Sequence, residues 1–193
     1  MDFEGVKGFV LAKLGRELDP AFYYHNLDHT VDVIRAARAL NTMENTDPRS
    51  RLIIETAALF HDSGILNRYE GHEEESAKIA RDVLPGYGYP EDEINEIANL
   101  ILVTKEPDKA KTKEEMILCD ADMDVLGRED FFISSFRLQL EWCVKGILTT
   151  TLREWFLLQV KFLEEHRFFT GSSRRLRQEQ KLKNLAAIKE LLE

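Results

Sequence analysis

The chain has 193 residues, 44% of them hydrophobic and 32% charged, with a net charge of −9. That length suits one domain whose core needs no covalent staple. The acidic balance argues against nucleic acid or an anionic membrane as partner, while a small anionic substrate stays open if a metal inverts the local field.

The two cysteines, Cys119 and Cys143, sit among apolar residues and form neither a disulfide framework nor a zinc-finger spacing. They are expected as buried thiols in a reducing compartment. The acidic start Met1-Asp2-Phe3-Glu4 lacks the layout of a signal peptide. No apolar run approaches the roughly 20 residues of a membrane span. A cytoplasmic location is expected.

In chain order, Phe3, Val6, Val10, Leu14 and Leu18 recur at steps of three and four, the stripe of an amphipathic helix. Val31, Ile34, Ala37 and Leu40 form a second stripe. Asp47-Pro48 puts a capping side chain before a proline suited to the first helical turn. Leu52, Ile53, Thr56, Ala57 and Phe60 carry that helix to His61-Asp62, and Ser63-Gly64 ends it. A loop to about Gly71 and a helix from Glu73 to Val83 are expected.

Pro85-Gly86-Tyr87-Gly88-Tyr89-Pro90 breaks the pattern. Pro90 then opens a helix whose first turn carries Glu91, Asp92 and Glu93, favourable to the dipole. Ile94, Ile97, Leu100 and Ile101 make its apolar face, and polar Lys105 to Lys113 is expected as a loop. Helical patterns resume over Glu114 to Leu126, Asp130 to Lys145, and Thr151 to Phe169, the last opening on a capping box, Thr151 with Glu154. A final helix from about Ser173 turns Leu176, Leu182, Leu185, Ile188 and Leu192 inward. The basic cluster of Arg167, Arg174, Arg175, Arg177 and Lys181 reads as a solvated helix face. Only Met116 to Cys119 offers a competing strand. The fold class is all-α, one globular helical bundle.

Four of the five histidines lie in special contexts. His25 and His29 are four apart and can share a face. His61 adjoins Asp62 at the end of an apolar helix, His72 follows a glycine-bounded loop, and Asp120-Ala121-Asp122 follows an apolar stretch. Imidazole with carboxylate suits Fe, Mn, Zn, Co or Ni and tolerates Mg. Each element alone is ordinary: a histidine at a helix end, an Asp that caps. Their order along one chain is what points to a metal site.

Tyr24-His25-Asn26-Leu27-Asp28-His29, Ala58-Leu59-Phe60-His61-Asp62 and Asp120-Ala121-Asp122-Met123-Asp124-Val125-Leu126-Gly127 together resemble the HD superfamily of metal-dependent phosphohydrolases. The likeness continues through Glu73-Glu74-Glu75-Ser76-Ala77 and reaches Phe168-Phe169-Thr170 and Lys183-Asn184-Leu185, so it covers nearly the whole chain. It implies a single HD-type domain over residues 1–193, with its core at about 20–130 and the C-terminal helices from about 130 packed on that core.

The resemblance implies a divalent metal held by His29, His61, Asp62 and Asp122, with catalysis by His25 and Asp62. Asp122 matches the ligand position of related cyclic-nucleotide phosphodiesterases, which leaves Asp120 and Asn26 in supporting roles around the ligands. His25 stands where those relatives place the general acid; the competing role is a histidine bonded to a ligand. His72, Glu73 and Glu74 lie where binuclear relatives hold a second metal, or at a substrate site, and His72 is expected at the rim. Many binuclear members carry further histidines after the next helix. Thr104-Lys105-Glu106-Pro107 stands there instead, so a complete second histidine-rich site is not expected.

The expected reaction is hydrolysis of a phosphoester, a nucleotide or a small phosphorylated metabolite, by a metal-activated water. Arg68, Lys105 or a C-terminal arginine are the cations available for the remaining phosphate charge. Two other readings stand beside it: a metal-binding regulatory HD protein without efficient turnover, and a di-iron HD oxygenase, which the missing histidines disfavour.

Overall fold

The computed structural model describes all residues, 1–193. The chain folds into nine α-helices and four short 3-10 helices, with no strand. Its contacts divide it into two units.

The first unit comprises Met1–Asp19 and His25–Asp122. It holds α1 (Phe3–Glu17), α2 (Leu27–Met43), α3 (Pro48–Phe60), α4 (His72–Val83), α5 (Glu91–Val103) and α6 (Lys113–Asp122). At the centre lies α3. Ile53, Ile54, Ala57, Ala58, Leu59 and Phe60 are all fully buried, so this helix is apolar around much of its circumference, as a helix enclosed by others must be. It packs on α1, α2, α5 and α6. Val6 and Val10 of α1, Ala37 and Leu40 of α2, Ile97 and Ile101 of α5, and Ile117 and Leu118 of α6 join the same core.

Local chemistry sets the helix starts. Asp47 caps α3, accepting from the backbone N–H groups of Arg49 and Ser50, with Pro48 in the first turn. Asp2 caps α1 through Gly5 N. Two expected loops are partly wound: Ser63–Leu66 and Pro107–Lys109 are 3-10 turns. Met116 to Cys119 lies inside α6, so the competing strand is absent. Ile117, Leu118 and Cys119 are consecutive and all buried, and a short apolar run of that kind fits a buried helix as well as a strand.

The second unit comprises Pro20–Tyr24 and Met123–Glu193. It holds the 3-10 turn Met123–Gly127 and helices α7 (Phe131–Val144), α8 (Leu152–Glu165) and α9 (Gly171–Leu192). Trp155, Phe131, Leu163, Phe168 and Ile188 form its core. Trp155 Nε1 donates to Ser135 Oγ at 2.9 Å, which satisfies a buried indole. The capping box at Thr151 and Glu154 is complete. The segment Pro20–Tyr24 is tied to α7, where the Tyr24 backbone N–H donates to the fully buried Glu141 carboxylate at 2.8 Å.

The basic cluster is not uniformly solvated. Lys181 is 1% exposed and donates to the His166 carbonyl at 2.6 Å, at the C-cap of α8. A cation there meets the negative end of the helix dipole. Burial, with help from Arg167, lowers the Lys181 ammonium to about 8. Burial and the charges of Lys181 and Arg167 hold His166 down at about 4.

The unfolded chain protonates His166 as pH falls through about 6.5, but the folded chain waits until about 4. Between those values the unfolded state binds more protons, so stability falls as pH drops across that window. His166→Gln removes this titration. Urea melts of the wild type and this variant at pH 7, 6, 5 and 4.5 are expected to show the wild type losing stability relative to the variant at each step. A gap that stays constant with pH would count against a buried neutral His166.

Candidate metal centre

The end of α3 and the starts of α2 and α4 supply the histidines, and the last residue of α6 supplies Asp122. Asn26 begins the arrangement. Its Oδ1 accepts from Asp28 N at 2.9 Å and His29 N at 3.2 Å, so it caps α2 and holds the turn that carries His29. The last carbonyls of a helix lack intrahelical donors. At the end of α3 one of them, Ala58 O, is met by His61 Nδ1 at 2.8 Å. A carbonyl only accepts, so His61 Nδ1 carries the proton and Nε2 keeps its lone pair.

One ligand atom each from His29, His61 and Asp122 lies within 4.8 Å of the others. The Nε2 atoms of His29 and His61 are 3.2 Å apart. Asp62 Oδ2 approaches them at 3.3 and 3.1 Å and is itself buried. Asp122 Oδ1 is 3.3 Å from His29 Nε2 and 3.6 Å from His61 Nε2. Lone pairs of nitrogen and oxygen thus converge in a space almost closed to solvent. They repel unless a proton or a cation stands among them, and two imidazoles with two carboxylates are a donor set that divalent transition metals accept.

The electrostatics point the same way. Burial opposes charge on His29, but hydrogen bonds to Asp122 and Asp62, with their negative charges, lift it to about 10. His61 is raised as well: burial opposes it, and Asp62 and then Asp122 outweigh burial. Asp62 lies well below the usual carboxylate range; burial would raise it, but His61, His29 and His72 pull it down. Asp122 is lowered against its own burial by His29 and His61. Cys119 is pushed up to about 12 by burial and by the charges of Asp122 and Asp120, so its thiol stays protonated. Asp120 is buried, and the three-residue group takes Asp122.

His72 stands on the other side of Asp62. Its Nε2 is 3.3 Å from Asp62 Oδ1 and 3.8 Å from Glu73 Oε1. The two oxygens of Asp62 therefore face different imidazoles. Burial opposes charge on His72, and the hydrogen bond and charge of Asp62 raise it to about 9. Glu74 points elsewhere and pairs with Lys105.

The His25 ring stands edge-on to His29, with centroids 6.1 Å apart, and 5.9 Å from His72. Sequence reasoning missed one member of this group. Tyr69 lies 5.7 Å from His25 and 6.2 Å from His72, ring to ring. It sits in a turn without periodicity, and no motif singles it out.

The HD domain family profile matches residues 26–123. The chain belongs to this family. It is the superfamily of metal-dependent phosphohydrolases to which the ordered His and Asp motifs pointed, and HD domains bind divalent metals. A relative, an uncharacterized protein of Clostridium beijerinckii, is 39% identical over 89 residues, 45% of this chain and 56% of that protein. The chain thus spans about half the length of that relative. Two crystal structures share the fold over 98% of this chain. One is a predicted HD superfamily hydrolase from an uncultured Thermotogales bacterium, 19% identical over 90% of its own chain, with a TM-score of 0.66. The other is Bacillus subtilis YpgQ in complex with ADP, 18% identical over 93% of its own chain, with a TM-score of 0.70.

Packing beneath the HD site is tight at Gly64. A Cβ there would collide with the His72 carbonyl oxygen and lie 2.6 Å from Ser76 N, and Gly64 N donates to the buried Ser76 Oγ at 2.7 Å. Gly64→Ala is expected to push α4 from the turn after Asp62 and to cost roughly 1–3 kcal/mol, the usual scale of overpacking. Chemical denaturation measures it, and an unchanged midpoint would show that α4 is free to shift.

Proposed function

We propose that this HD protein hydrolyses a phosphoester of a nucleotide or small phosphorylated metabolite with a divalent ion held by His29, His61, Asp62 and Asp122. The observation that carries this reading is the buried convergence of imidazole nitrogens and carboxylate oxygens around one point. When bound, the ion supplies a water of lowered pKa and a Lewis acid for the phosphoryl oxygen. The chain's residues do the rest. Asp62 and Asp122 are held ionised by the histidines around them. His61 is fixed in one tautomer by the Ala58 carbonyl. His25, beside the ligands, gives a proton to the leaving oxygen as its bond to phosphorus breaks.

Lys105 and Arg68 are the cations assigned to the phosphate charge. Lys105 pairs with Glu74 in the first turn of α4. The Arg68 guanidinium carbon lies 3.4 Å from where a Cβ on Gly71 would stand. The ADP bound by the Bacillus subtilis structure supports a nucleotide as the first class of substrate to try. His72 and Glu73 are assigned to the rim, in reach of a second ion or the substrate.

A panel of nucleotides and phosphorylated metabolites, assayed with Mn, Fe, Co, Ni, Zn and Mg, tests the reading. Asp122→Ala is expected to strip the metal and abolish the thermal stabilisation that metal confers, while Asp120→Ala keeps both. Elemental analysis with melting curves decides this. The reverse pattern exchanges the two roles, and no stabilisation by any of the ions removes the metal reading.

His25→Ala is expected to slow an alkyl phosphoester by roughly 10²-fold, the scale of general acid catalysis. Nitrophenyl phosphate, whose leaving group barely needs a proton, should be slowed far less, and metal content should hold. Equal loss on both substrates would take His25 out of the reaction.

A further inference from the structure

Two histidines of this site, His25 and His72, meet at one residue that no motif marks. Tyr69 lies in the turn between the 3-10 helix Ser63–Leu66 and α4. Its carbonyl takes the backbone N–H of His72 at 3.3 Å and stands 2.8 Å from His72 Nδ1. A carbonyl cannot donate, so His72 Nδ1 carries the proton and the turn closes on itself. Gly71 completes it with φ +70°, a left-handed conformation that a side chain would oppose. The Tyr69 backbone is thereby fixed, and its ring stands at nearly a right angle to His25, with an interplanar angle of 89°. The phenol oxygen lies 3.5 Å from His25 Nδ1.

We propose that Tyr69 is the positioning residue of His25, its hydroxyl engaging Nδ1 so that Nε2 is the nitrogen left to carry the transferable proton. This rests on the reading of His25 as proton donor. The protonated imidazole has an N–H on each nitrogen. As the P–O bond breaks, its electron pair stays on the leaving oxygen, which takes the Nε2 proton. The Nδ1 proton remains, still donated to the Tyr69 oxygen. The neutral product is the Nδ1–H tautomer, with the hydrogen bond to Tyr69 unbroken throughout. The phenol needs no charge change and touches no reacting atom. Ring packing on His25 and His72 limits rotation of both imidazoles, and the hydroxyl oxygen can accept from Nδ1 of the protonated His25 ring.

Tyr69→Phe keeps the ring and removes only the hydroxyl. On an alkyl phosphoester, kcat is expected to fall roughly three- to tenfold, the loss of one neutral hydrogen bond, with KM and metal content unchanged. Nitrophenyl phosphate should be nearly unaffected. In a His25→Ala background the same substitution should change nothing further, because its effect runs through His25. A second measurement needs neither metal nor substrate. In metal-free protein, the imidazole ¹⁵N signals of His25 should move toward the other tautomer on Tyr69→Phe, while those of His61, held by Ala58, stay in place. An effect that persists without His25 would make Tyr69 a substrate contact and overturn the proposal, as would unmoved His25 signals or an unchanged kcat. If His25→Ala shows no dependence on the leaving group, the reading of His25 as acid fails, and the ¹⁵N comparison still reports whether Tyr69 selects its tautomer.

Discussion

Two carboxylates, buried Asp62 and the largely covered Asp122, stand at the edge of an apolar helix core, and the organisation of the site follows from the cost of taking them out of water. A carboxylate taken out of water is expensive unless paired and hydrogen-bonded. Here the partners are imidazoles: His29 and His61 on one side of Asp62, and His72 on the other. The carboxylates lift His29 to about 10 and His72 to about 9. The site thus favours a positive charge. A proton meets that demand in the bare protein, and on the proposed reading a divalent ion displaces it.

The same local device orients two of these histidines. His61 Nδ1 reaches back three residues to Ala58 O, and His72 Nδ1 reaches back three residues to Tyr69 O. In each case a backbone carbonyl at the edge of a helix or turn needs a donor, and the imidazole supplies it. Ending α3 and aiming His61 Nε2 are therefore one event. Asn26 does the equivalent for α2, where one carboxamide oxygen caps the helix and holds the His29 backbone. The geometry of the site is thus built largely from helix ends, whose unsatisfied groups need partners.

This explains what could be read from sequence. The helices were legible because their stripes and caps are local: Asp47-Pro48 at α3, Thr151 with Glu154 at α8, and Phe3 to Leu14 in α1. The ligand candidates were legible as ordered motifs. Met116 to Cys119 was ambiguous because a buried apolar run carries no period. Lys181 was misread because its position within a basic cluster says nothing of the carbonyl it caps. Tyr69 was invisible for a similar reason. Its place depends on a turn closed by Gly71 and on ring contacts to His25 and His72, and only the fold brings those together. Gly64 was taken as a helix stop, while the structure adds the close approach of α4 that requires it.

A chain of net charge −9 is an unpromising host for a phosphate anion if only total charge is considered. Charge beyond a Debye length, about 8 Å at physiological salt, is largely screened, so the local field decides. Within the site the carboxylates of Asp62 and Asp122 would repel phosphate. On the proposed reading their negative charge also draws a cation, and a bound ion would reverse the sign of the field that meets the phosphoryl oxygen. On the surface, Lys105 is held by Glu74. An exposed ion pair of this kind contributes little to stability, so exchanging the Glu74 carboxylate for a phosphate oxygen costs the protein little. On the proposed reading, the acidic residues therefore serve the anionic substrate twice: Asp62 and Asp122 by recruiting the ion, and Glu74 by keeping a lysine in place until phosphate arrives.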